Sequence, residues 1–120
     1  MAKYRVQNPA TGEIIETFES ATDAEIEQKL AAADAAYREW RETSVQDRAA
    51  AVRRVARLFE ERKDELARLI AVEMGKAIAE SIDEVEFARD IIDYYGVNGP
   101  SLITDSEIPS TIPRTAAIAH

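Results

Sequence analysis

The chain of 120 residues contains no cysteine. Within these residues that excludes disulfides, thiolate metal sites and a cysteine nucleophile. Histidine is nearly absent too: His120, the last residue, is the only one. One terminal imidazole makes neither a metal site nor a triad. No apolar run approaches the roughly 20 residues that span a bilayer. Met1-Ala2-Lys3-Tyr4-Arg5 lacks the apolar stretch of a secretion signal, so the expectation is a cytoplasmic protein with no membrane partner. Basic residues are in deficit, 15 against 23 acidic, for a net charge of -8. A polyanion would be repelled, so no nucleic-acid partner is expected. Hydrophobic content of 46% leaves room for one domain with one modest core.

Glycine and proline number only four each, so each one punctuates the chain. The first cluster is Asn8-Pro9-Ala10-Thr11-Gly12-Glu13. Pro9 fixes φ and Gly12 permits a positive φ, which makes a tight turn. Tyr4-Arg5-Val6-Gln7 before it and Ile14-Ile15-Glu16-Thr17-Phe18 after it are β-branched and aromatic runs. Residues 1–20 therefore read as a β-hairpin.

From Thr22 the period becomes helical. Thr22-Asp23-Ala24-Glu25 is a capping box. Ile26, Leu30, Ala33, Tyr37 and Trp40 form one apolar stripe. Ser44 reads as the next N-cap, and Val52, Val55, Ala56 and Phe59 share a face. The register shifts near Arg62-Lys63-Asp64, after which Leu66, Leu69, Ile70 and Met74 make a third stripe. Gly75 stands where a helix C-cap belongs. A fourth helix starts near Lys76 and buries Ile78, Ile82, Val85, Ala88, Ile92 and Tyr95, with Gly96 and Gly99-Pro100 as its stop. The expected fold class is mainly α with a short N-terminal β-hairpin (α+β). About four helices over 21–99 pack as a small bundle. Residues 100–120 form an extended tail in which Thr115-Ala116-Ala117-Ile118-Ala119 has no evident strand partner.

Three clusters could carry chemistry. Arg48, Arg53, Arg54, Arg57, Arg62 and Lys63 could form an anion patch, or a solvated face pairing with Asp47, Glu60 and Glu61. Asp83, Glu84 and Glu86 could do acid–base work if burial split their pKa values, or lie on an exposed face. Tyr94-Tyr95 reads as core and cap packing. None of these sets a nucleophile beside a base, a glycine-rich loop before a helix, or ligands at metal spacing.

Taken in order, the motifs resemble the aldehyde dehydrogenase superfamily. The opening turn Asn8 to Glu13 is followed by Ala35-Ala36-Tyr37-Arg38-Glu39-Trp40 and by the Arg-rich helix from Arg48 to Arg62. Glu65-Leu66-Ala67, Glu73-Met74-Gly75-Lys76, Tyr94-Tyr95 and Glu107-Ile108-Pro109-Ser110 complete the series. Within that superfamily the sequence is most similar to bacterial succinate-semialdehyde dehydrogenases. The resemblance implies the N-terminal part of that fold without its Rossmann sheet, as a single segment 1–120. It implies NAD(P)-dependent oxidation of an aldehyde to an acid in the parent enzyme. The thiolate nucleophile, the general-base glutamate and the cofactor lysine would lie beyond residue 120. The chain by itself is then expected to be inactive, with no catalytic residue and no bound cofactor. Two lesser features carry over: Gln7, through its carbonyl, and Glu73 match a monovalent-cation site, and Phe87 with Ile91 matches the mouth of the substrate tunnel. The alternative reading is a self-standing helical interaction module. In either case exposed apolar surface or the tail favours a homo-oligomer.

Overall fold

Residues 4–108 and 117–119 are described in the computed structural model. β1 (Tyr4–Gln7) and β2 (Ile14–Phe18) pair antiparallel, with Tyr4 opposite Phe18 and an irregularity between Val6 and Gln7. The turn closes as its residues dictate. Gly12 N donates to Asn8 O at 2.7 Å and Asn8 N to Glu13 O at 2.9 Å. Asn8 Oδ1 accepts from Ala10 N at 2.9 Å, an Asx turn, and Gly12 takes φ 76°.

α1 (Asp23–Trp40) begins at the capping box. Thr22 N donates to Glu25 Oε2 at 2.7 Å, and Glu25 N donates to Thr22 Oγ1 at 3.3 Å. Its apolar stripe does not find a core. No residue of α1 is buried; Leu30 is 60% and Tyr37 61% exposed. The packed helix pairs are α2 on α4, α3 on α4 and, slightly, α2 on α3, and α1 takes part in none of them.

α2 (Val45–Glu61) is capped by Ser44, whose Oγ accepts from Asp47 N at 3.0 Å. It breaks from α3 (Lys63–Met74) at Arg62, where φ is -108° and ψ 19°. The break falls at the register shift in the sequence. Gly75 ends α3 at φ 69°, its N–H donating to Ala71 O at 3.0 Å.

α4 (Ile78–Leu102) runs past its expected stop. Gly96 is buried and Pro100 lies inside the helix. Gly96 is a contact residue: a Cβ there would sit 2.5 Å from Arg53 Cγ and 3.2 Å from Arg53 N. Gly99 has no Cβ to meet the Pro100 ring, so the helix passes through the proline. The buried residues are small: Ala56, Ala67, Ser81 and Gly96, with Val85. That corrects the expected face, since Ile78 and Tyr95 are 49% and 58% exposed. Close approach of backbones takes the place of large interlocking side chains.

The tail also departs from expectation. β3 (Ser106–Ile108) pairs antiparallel with β4 (Ala117–Ala119), so the strand read as partnerless pairs within its own tail. Pro109, Pro113 and His120 lie outside the described residues.

The molecule is extended, 70 × 41 × 26 Å, with a radius of gyration of 21.3 Å. A compact domain of this length has about 13.6 Å. Its accessible surface is 9864 Å². A compact monomer of this mass exposes about 6,500 Å². Large apolar side chains are exposed on the hairpin and on all four helices.

Candidate functional site

The opening turn and the end of α3 meet. A Cβ on Gly75 would lie 2.8 Å from Pro9 Cγ. This contact brings Asn8-Pro9-Ala10-Thr11-Gly12-Glu13 against Glu73-Met74-Gly75-Lys76. Two motifs far apart in sequence therefore share one corner of the fold. Gln7 lies in the hairpin, its Nε2 donating to Gly12 O at 2.9 Å. Glu73 lines an open groove between α3 and α4 with Phe59, Leu66, Met74, Glu84 and Val85. Gln7 is not among the residues lining that groove. Two oxygens fall short of the six or so that a hard cation takes. Among the described residues no group of three or more His, Cys, Asp or Glu could hold a metal ion.

Phe87 and Ile91 lie one turn apart on α4, 67% and 43% exposed. Neither belongs to the core of these residues. Tyr94 and Tyr95, read as core and cap packing, are also more than half exposed. Their rings meet edge to face, 5.2 Å apart at 87°. Phe87, Ile91 and Tyr94 thus make a second uncovered apolar stripe at helical spacing.

Many members of the charged clusters form ion pairs. Lys76 Nζ donates to Glu84 Oε2 at 2.5 Å, and Lys63 Nζ donates to Glu86 Oε1 at 2.7 Å. Arg89 binds Asp90 at 2.8 Å and bridges across to Glu60. Arg53 reaches Asp93 at 3.8 Å. Arg62 forks onto Glu65 with both nitrogens. The three cross-helix pairs, Lys63–Glu86, Arg89–Glu60 and Arg53–Asp93, line the seam of α4 against α2 and α3. Local spacing could not reveal them, because Glu60 and Arg89 stand 29 residues apart.

These bonds shift the groups. The bond from Arg89 holds the Glu60 carboxyl below its ordinary 4.5. The Arg62 fork does the same for Glu65, and the Thr22 backbone N–H for Glu25. The Glu86 carboxylate, and Glu60 behind it, raise Lys63 above 10.5; Glu84 raises Lys76. For a lowered carboxyl, the stabilisation is present above its unfolded pKa and is lost as pH falls through the lower folded value. For a raised lysine it is present below 10.5 and is lost as pH rises through the higher folded value. Helix content followed by circular dichroism should be flat between 4.5 and 10.5 and fall outside both ends. A fall beginning near neutrality would contradict these pairings. The Glu60 and Glu65 carboxylates are half exposed, so the effect is modest and shrinks in salt.

A dinucleotide does not fit these residues. Its phosphates need a glycine-rich turn opening a helix after a strand. Here Gly12 sits in a hairpin turn, Gly75 at a helix C-cap, and Gly96 and Gly99 inside α4.

The fold places an antiparallel hairpin before a set of capped helices, and comparison with known proteins gives that arrangement a family. The aldehyde dehydrogenase family model matches residues 1–120. The chain belongs to the aldehyde dehydrogenase family. It is 47% identical over 118 residues to the succinate-semialdehyde dehydrogenase [NADP(+)] of Deinococcus radiodurans, covering 98% of this chain and 24% of that protein. It is 37% identical over 109 residues to the glutarate-semialdehyde dehydrogenase of Pseudomonas putida, covering 91% of this chain and 22% of that one. Among solved structures, the succinic semialdehyde dehydrogenase of Streptococcus pyogenes, crystallised with NADP+, superposes with a TM-score of 0.84 at 28% identity. That match covers 90% of this chain and 24% of the other. The chain spans about a quarter of the length of these relatives.

Proposed function

We propose that these residues form the helical front of an NAD(P)-dependent aldehyde dehydrogenase that oxidises a dicarboxylic semialdehyde, succinate semialdehyde first, to the acid. The observation that carries this reading is the 47% identity to the Deinococcus radiodurans enzyme across 98% of the chain. The family chemistry needs a thiolate nucleophile, and these residues have no cysteine. The nucleophile and the cofactor site therefore belong to residues outside the 120, and the chain by itself turns nothing over.

The role left to these residues is mechanical. The corner of Pro9 and Gly75 fixes the hairpin on α3, and α4 carries Phe87 and Ile91 on an uncovered face. In the complete subunit that face borders the aldehyde's path. The Gln7 carbonyl and Glu73 supply two oxygens to a monovalent cation completed by other residues. The protein is cytoplasmic in this reading. No helix among the described residues is long and apolar enough to cross a membrane.

The purified chain, given succinate semialdehyde and NADP+, should form no NADPH. Measurable aldehyde-dependent reduction would overturn the assignment of the chemistry to residues outside this stretch.

A further inference from the structure

We propose that in the free chain α1 is a self-complementary face that pairs antiparallel with α1 of a second copy. Ile26, Leu30, Ala33, Tyr37 and Trp40 alternate steps of four and three, the spacing of a coiled-coil seam. All five are exposed, and among the described residues α1 takes part in none of the packed helix pairs. The seam has an order along its length. Its N-terminal half is aliphatic and its C-terminal half aromatic, with Ala33 between them.

Antiparallel pairing sets Leu30 against Trp40 of the second copy, and Ala33 against Tyr37. Large then meets small at the middle, as knobs-into-holes packing requires. A shallow groove lined by Ala33, Ala36, Tyr37 and Trp40 is already present to receive the opposing Leu30. The flanking charges agree. Glu27 of one copy falls beside Arg41 of the other, twice by symmetry. Among the described residues Arg41 pairs with its neighbour Glu42, at 3.2 Å. The one like-charge approach, Asp34 to Asp34, is offset by Arg38 at 2.8 Å from each. Parallel pairing would instead stack Trp40 on Trp40 and set the acidic first turns, with Asp23 and Glu25, side by side.

Because the chain has no cysteine, one variant reads the geometry directly. Glu27→Cys with Arg41→Cys places the two thiols about 21 Å apart along one helix, out of disulfide reach. Under mild oxidation at about 100 µM the double variant should yield a covalent dimer. The parent chain should sediment at twice 13.4 kDa under the same conditions. Leu30→Glu should return both to monomer without loss of helix content, since Glu is a good helix former on an exposed position. A parent chain of 13.4 kDa, or a dimer indifferent to Leu30→Glu, would overturn the proposal. A monomer would mean that α1 is kept for the rest of a dehydrogenase subunit. That outcome sinks the dimer and leaves the dehydrogenase reading intact.

Discussion

Gly96→Val is expected to destabilise the helical unit by about 2–3 kcal/mol, the upper part of the overpacking range. A Cβ at this position falls 2.5 Å from Arg53 Cγ, 3.2 Å from Arg53 N and 3.5 Å from Arg53 Cα. The Arg53 side chain can swing aside, being more than half exposed. Its backbone cannot, because it belongs to α2. The helices must therefore separate, which loosens the packing of Ala56 and Val85. Arg53–Asp93, at 3.8 Å and exposed, would also stretch, but such a pair contributes little. Gly96→Ala is the informative partner. It brings the same Cβ but gains up to about 1 kcal/mol of helix propensity, so its net cost is smaller. Urea unfolding of the three proteins should rank them wild type, alanine, valine. A valine variant as stable as wild type would refute the close approach.

Gly75→Ala is the second large effect, with an expected cost of about 1–2 kcal/mol from the left-handed backbone alone. The residue sits at φ 69°, where a side chain is strained whatever the space. Its Cβ would also lie 2.8 Å from Pro9 Cγ, so the clash adds to the strain. The two costs can be separated. Pro9→Ala removes the ring but not the strain, so the double variant should recover only the clash. A double-mutant cycle in urea measures the coupling. Full recovery would show that Gly75 needs no left-handed conformation. Zero coupling would show that the turn and α3 do not touch.

Local features were legible in the sequence because they depend on a few neighbouring residues. Thr22 with Glu25, Ser44 and Gly75 cap where their chemistry says they should. So did the turn at Asn8, whose Asx bond and positive-φ glycine need nothing distant. Gly96 misled because a glycine that ends a helix and one that admits another helix look alike in one dimension. Only Arg53, on a different helix, distinguishes them. The α1 stripe was legible as an apolar face but not as an uncovered one, since periodicity shows which side is apolar and not what covers it. The tail strand looked unpartnered because its mate, Ser106–Ile108, is short and precedes it in the tail itself. Of the candidate site, the corner of Pro9 and Gly75 joins two motifs that lie far apart in sequence. The ion pairs along α4 stayed hidden, since they pair residues from different helices.

A chimera tests most directly the proposal that these residues are the working front of a semialdehyde dehydrogenase. The 120 residues replace the matching quarter of the Deinococcus radiodurans enzyme, and NADPH formation from succinate semialdehyde is measured. The expected kcat/KM is within about tenfold of the unaltered enzyme, a difference of some 1.4 kcal/mol in transition-state stabilisation. A chimera that folds, binds NADP+ and oxidises no semialdehyde would contradict it.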